Sequence, residues 1–345
     1  MMRFDFFKYI FLLFVLLFVF SCKHKIKEKG TIDRLVKVNP ENKTNKKINI
    51  KISRYDKALF SLDQNNIMPG INAIKQEFNI FLNADFSDPV KMIQLKSFIN
   101  DPMIIRINKE TQTKFPDLVL IEKNLSDAFT YFNYYFPEKK IPKVYSYVNF
   151  LNDSQPIVFT DSIMIIELDM YLGKSCSFYS MAGFPVYKTN RYSKEYIAAD
   201  CMREMGKSLN VFKRNDLTFL NQIIAEGKVL FFEDAMLPEL PDSIKIGFTS
   251  QQLDWCKKNE ENLWKLFIGQ KLLYKSEPNL ISKFLNDAPF TPGFSHETPG
   301  RLGCWVGWQI VRDFMSKNEK VTISELMRET DAQKILKQSN YRPKK

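Results

Sequence analysis

Apolar and polar positions change their rhythm five times along the chain. Residues 9–20 are an unbroken apolar run, followed at once by Ser21 and Cys22. Residues 23–47 (KHKIKEKGTIDRLVKVNPENKTNKK) are polar and lysine-rich with no sustained period, the pattern of a flexible tether. From Ile48 the stretch INIKISRYDKALF alternates apolar and polar residues and predicts an opening strand. Helical spacing follows over 71–82, 90–99 and 118–135, with Asp88 and Pro89 as cap and first-turn residue of the second. The period then shortens. Residues 144–151, 156–160 and 163–168 are β-branched and aromatic runs separated by turn residues, and predict successive antiparallel strands. Helical spacing returns over 196–209, 217–236, 250–273, 302–316 and 323–336. Helices, a small central antiparallel or mixed sheet, then helices again predict a mostly helical α+β fold in one globular domain, residues 48–345.

The first segment predicts export. Arg3 and Lys8 supply a basic start, and a small residue directly before a lone Cys ends the apolar run. A twelve-residue helix rises only about 18 Å against a hydrocarbon core of about 30 Å. We therefore expect a lipoprotein signal peptide over 1–21, a lipid anchor on Cys22 and a tether over 22–47. The competing uncleaved span over 4–20 is interrupted by Asp5 and Lys8.

Charge distribution removes one class of partner. The net charge is +11, but residues 1–51 carry +8 of it and Arg342, Lys344 and Lys345 the remaining +3. The body is neutral, so nucleic-acid binding has no electrostatic support. Beside an anionic lipid surface each tether cation adds up to about 1 kcal/mol of attraction.

Histidine count limits the chemistry further. Only His24 and His296 are present, so a His-based catalytic zinc site is not expected. No Walker, GxGxxG or GxSxG motif appears, and no cofactor or metal is expected. Cys176, Cys201, Cys256 and Cys304 are widely spaced without CxxC, which leaves bridges and buried thiols equally open. The adjacent Glu233 and Asp234 fit a solvated helix end. The richest segment is FSHETPGRLGCWVGWQIV, residues 294–311. Thr298 and Pro299 suit a helix start, and Gly303 with Gly307 clears one face for the helix carrying IIAEGKVLFFEDAML. Trp305 and Trp308 share a side of the helix. His296, Glu297 and Arg301 at its mouth are candidates for a binding surface, joined by Trp308 if that ring is exposed.

SRYDKALF, YIAADCMREM, IIAEGKVLFFEDAMLP, HETPGRLGCWVGWQIV and the terminal YRPKK together resemble the gliding motility lipoprotein GldB family of Bacteroidetes. That resemblance implies a lipid-anchored envelope protein needed for gliding, coupled to type IX secretion and to other gliding lipoproteins as partners. More remotely, YIAADCMREM, IIAEG and GRLGCWVGWQIV are similar in order to zincin-like metallopeptidases whose first helix carries HExxH. Here that helix has no His, and Glu226 alone remains of the ligand set, which implies a pseudoenzyme cleft near Arg203, Glu204 and Glu226. The expectation is a non-enzymatic interaction or assembly component. The alternatives are a degenerate hydrolase and a lipid- or glycan-binding carrier using the same cleft. KHKIKEKG lacks the acidic cluster of surface-exported lipoproteins, so a periplasmic orientation is expected, on either membrane.

Overall fold

The computed structural model describes residues 47–212 and 218–343. The predicted signal peptide, Cys22 and nearly all of the tether lie outside the described residues. In chain order the elements are β1 (Ile52–Arg54), α1 (Tyr55–Phe60), α2 (Ile67–Lys75), α3 (Pro89–Ile99), α4 (Pro102–Lys114) and α5 (Val119–Tyr135). Strands β2 (Lys143–Tyr147), β3 (Ile157–Phe159) and β4 (Ile163–Glu167) follow. Next come α6 (Ser177–Met181), α7 (Val186–Thr189), α8 (Ile197–Leu209), α9 (Phe219–Met236) and α10 (Asp242–Ile246). The chain closes with α11 (Ser250–Gly269), α12 (Pro278–Leu285), α13 (Leu302–Lys317), α14 (Ile323–Arg328) and α15 (Ala332–Ser339). The fold class is α+β and mostly helical, as the rhythm predicted.

The sheet is mixed. Its order is β1-β2-β4-β3, with β1–β2 and β2–β4 parallel and only β3–β4 antiparallel. The expected run of antiparallel neighbours is thus corrected. β4 (IMIIE), the longer and more buried strand, takes the inner position, and the shorter β3 turns back along its outer edge. The opening strand is also shorter than its alternation suggested. Tyr55, Leu59 and Leu62 lie at helical spacing and are buried together, so the chain turns into α1 after Arg54. Helix α4 escaped the periodicity, although Asp101 and Pro102 repeat the Asp88–Pro89 start: Asp101 Oδ1 accepts from the Met103 and Ile104 amides at 2.7 and 3.1 Å. The helix expected over 323–336 is two, separated at Glu329–Asp331.

The edge at β1 is closed by α5. The Ile48, Ile50 and Ile52 amides donate to Thr130 Oγ1, Ser126 Oγ and Glu122 Oε1 at 3.1, 2.9 and 3.0 Å. Four helical residues rise about 6.0 Å and two extended residues about 6.6 Å, so every fourth side chain meets every second amide. An edge satisfied this way cannot recruit another strand.

Sheet alternation divides the core. Val144, Met164 and Ile166 face the large helical body, whereas Tyr145 and Ile163 face a smaller aromatic layer built on α1–α3, where Tyr55 stacks on Phe81 at 4.2 Å. At the centre of the body α9 and α13 cross with backbones nearly touching. A Cβ on Gly227 would strike the Gly307 carbonyl, and one on Gly307 would strike that of Ile223. The close approach to α9 predicted for Gly303 and Gly307 is met at Gly307, whereas the backbone that Gly303 faces is the Phe284 carbonyl of α12; Trp305 and Val306 are buried beside them.

Candidate functional site

Where α8, α10 and the turn into α13 converge, the surface opens into a polar cleft of about 540 Å³. Asp200, Arg203 and Glu204 reach it from α8, Arg191 from the segment after α7, and Asp287 and Arg301 from either end of the 287–301 loop. Two glycines shape its floor. Gly247 holds φ +77°, and a Cβ there would come 2.6 Å from Arg191 Nε, so the guanidinium lies flat against bare backbone. A Cβ on Gly300 would likewise come 2.7 Å from the Ala288 amide nitrogen, so the two backbones pack closely there. Arg301 itself adopts φ 60°, turning its side chain into the cleft before α13 begins. Thr298 and Pro299 consequently do not start that helix; both are buried, and Thr298 Oγ1 accepts from the Thr291 amide at 3.2 Å.

The three arginines are held to different degrees. Arg203 donates to Glu233 at 3.0 and 3.2 Å, to Asp200 at 2.9 Å and to the Lys245 carbonyl, which engages four of the five guanidinium N–H donors. Tyr171 donates to the other oxygen of Asp200 at 3.0 Å. Arg191, by contrast, faces Asp200 and Asp287 at 3.6 and 3.5 Å. Arg301 donates to the Ile246 carbonyl at 3.2 Å but stands 3.8 Å from Asp287 and 3.7 Å from Glu226. These last four approaches are ion pairs longer than a hydrogen bond. Burial alone would raise the Asp287 carboxyl, yet Arg301 and Arg191 outweigh it and hold the group below the usual carboxylate range.

One wall of the cleft is a loop fixed by two buried acids. Asp169 accepts from the Asn149 and Leu151 amides at 3.2 Å, and Glu167 from the Asn152 amide at 2.7 Å and Tyr147 OH at 2.8 Å. Asp153 then closes onto Lys188 at 2.6 Å. Burial pushes the Glu167 carboxyl up to about 7 against these two bonds, and Asp169 also rises, because burial and the neighbouring Glu167 both disfavour its charge.

Behind the cleft lies a second, closed network. Arg312 donates to Asp234 and to Asp242 in two bidentate pairs, all at 2.8 Å; Lys245 meets Asp234 at 2.9 Å and Trp308 Nε1 meets it at 2.8 Å. The guanidinium carbon sits 3.7 Å over the Trp308 ring. Glu233 and Asp234 are fully enclosed, correcting the solvated helix end expected of them. The sequence does carry a sign of this: the segment 229–236 is apolar on every side, so charges within it had to be buried and paired.

The sequence candidates are thus divided. Arg203, Glu204 and Arg301 line the cleft, with Glu204 paired to Lys207 at 2.7 Å. Glu226 touches Arg301 from outside the lining. His296 and Glu297 are exposed, the His296 ring 4.1 Å from that of Phe290. Arg301, expected at the surface, is only 8% exposed, and Trp308 is wholly buried on Asp234. Arg191, Asp200 and Asp287 were not anticipated. The four body cysteines are free thiols; Cys304 is pushed up to about 12 by burial, which Arg301 only partly offsets, so it is no ready nucleophile. Among the described residues no three His, Cys, Asp or Glu side chains gather as metal ligands, and no helix is long and apolar enough to cross a membrane.

The family model described as gliding motility protein GldB matches residues 36–343. No curated protein and no solved structure matches the chain.

Proposed function

From the premise that this chain belongs to the gliding motility protein GldB family, we propose that it acts as a lipid-anchored, non-catalytic interaction component of the gliding machinery, linked to type IX secretion. Family membership associates it with motility and with the cell envelope. The anchor on Cys22 and the periplasmic orientation belong to the proposal. So does the role of the cleft, which we read as the docking site for a partner in the envelope.

One observation carries this reading: Arg191 and Arg301 line the cleft, with side chains 20% and 10% exposed and their carboxylate neighbours beyond hydrogen-bonding distance. Cations fixed in advance and incompletely bonded favour recognition, since little ordering remains when a partner arrives. Arg203, closed onto Glu233 and Asp200, supplies the support and not the contact.

Crosslinking and pull-down of the full chain from its native envelope tests the proposal, with Cys22→Ala as control. Recovery of gliding or secretion components by the anchored protein, lost with Cys22→Ala, is the expected result. A reproducibly empty recovery, or equal recovery without the anchor, overturns it.

A further inference from the structure

We infer that the cleft binds a carboxylate of an acidic peptide segment, seated between Arg191 and Arg301 in the position now taken by Asp287. This deepens the docking reading and rests on it. Three features of the cleft support the assignment.

First, Asp287 already occupies the place with the right chemistry and the wrong fit. Its Oδ1 lies 3.5 Å from Arg191 and 3.8 Å from Arg301, and its side chain is 46% exposed. A carboxylate attached to a separate chain can close both gaps to about 2.8 Å, where charge-assisted bonds reach full strength. Asp287 cannot follow, because its neighbour Ala288 is packed against Gly300.

Second, the charge balance at the centre of the cleft depends on Asp287. Asp153 and Glu204 are taken by Lys188 and Lys207, and Asp200 and Glu233 close onto Arg203, which leaves Asp287 as the carboxylate that faces both Arg191 and Arg301. Releasing Asp287 to solvent leaves Arg191 and Arg301 without a shared counter-charge, and an incoming carboxylate restores it.

Third, the remaining lining suits a peptide more than a bare phosphate. Gln155, Asn190, Thr249 and Gln252 offer amides and hydroxyls along the walls, and Tyr192 and Tyr196 offer aromatic faces. A backbone flanking the carboxylate has partners there, which an inorganic oxyanion would leave unused.

The test is fluorescence anisotropy of a labelled Asp/Glu-rich peptide and its Asn/Gln counterpart against the full chain in detergent. Inorganic phosphate and phosphatidylglycerol vesicles serve as competitors. The acidic peptide should bind and the amide version should not. Arg191→Ala should weaken binding by about tenfold, and Asp287→Asn should tighten it by about tenfold through removal of the internal competitor. The gain is diagnostic, since a purely structural Asp287 would give none. Weaker binding to Asp287→Asn, or binding indifferent to Arg191→Ala, overturns the assignment. So does equal binding of the acidic peptide and its amide counterpart, or complete displacement of the acidic peptide by inorganic phosphate or by the vesicles. If envelope partners are recovered through Arg191 while no acidic peptide binds, the carboxylate assignment fails and the docking reading stands.

Discussion

Asp234 and Asp287 each face two cations, and the molecule treats them in opposite ways. Asp234, 3% exposed at its side chain, receives Arg312, Lys245 and the Trp308 indole at 2.8–2.9 Å, with Asp242 completing the fork around Arg312. Asp287, half in solvent, stands 3.5 and 3.8 Å from its arginines. The residue types are the same; the burial and the geometry differ. Where every donor is bonded and dry, the charges belong to the fold, because removing one strands the others. Where the pairs are long and wet, the carboxylate contributes little to stability and can be exchanged.

The most severe way to probe this contrast is Arg312→Ala. It leaves Asp234 and Asp242 buried without their bidentate partner, and denaturant unfolding should show a loss of about 3–5 kcal/mol. A loss under about 1 kcal/mol would mean that the knot behind the cleft is not what holds α9, α10 and α13 together.

Next in size is the pH response, in which Asp234 and the cleft-wall acid Glu167 should differ in sign, while Asp287 shares the direction of Asp234. Burial would raise Asp234, but Arg312 and Lys245 outweigh it and lower its pKa. Its contribution is therefore present above the unfolded carboxylate value of about 3.9 and is lost only as pH falls through the lower folded value. Glu167, at the cleft wall, is raised to about 7. Its contribution is full below its unfolded value of about 4.3 and declines as pH rises towards about 7, by about 1.4 kcal/mol for each pH step of one between those values. Unfolding midpoints between pH 4.5 and 7 should thus fall with rising pH, and Glu167→Gln should flatten the slope. A slope unchanged in that variant would remove the cleft wall from this account.

The smallest expected effect is the stability change of Arg191→Ala. Its ion pairs are long and its side chain is 20% exposed, so the loss should stay below about 1 kcal/mol in the same unfolding assay. A loss matching that of Arg312→Ala would erase the distinction between the two regions.

Much of the frame was legible in the sequence, for identifiable reasons. Long helices with clear periodicity, α5, α8, α9 and α13, appear close to their expected bounds, and Gly307 announced the tight crossing of α9 with α13. Strand order was not legible, because nothing local says that β4 inserts between β2 and β3. The α1 boundary failed where a two-residue alternation and a helical spacing overlapped at Tyr55 and Leu59. Of the cleft, α8 supplied Arg203 and Glu204 and the turn into α13 supplied Arg301 as the part visible in the sequence. Arg191 and Asp287 sit on segments far apart in the chain and meet only after folding, so no spacing could join them. Trp308 could not be decided because an aromatic in the middle of a helix looks the same in sequence whether its indole meets water or, as here, a buried aspartate.

The central claim is that Arg191 serves recognition while Arg312 serves the fold. The most direct measurement is partner recovery from the native envelope with the anchored Arg191→Ala protein, alongside its unfolding curve. The account predicts an unfolding curve within about 1 kcal/mol of the unaltered protein and partners that are no longer recovered. Partners recovered as before by a folded Arg191→Ala protein would contradict it.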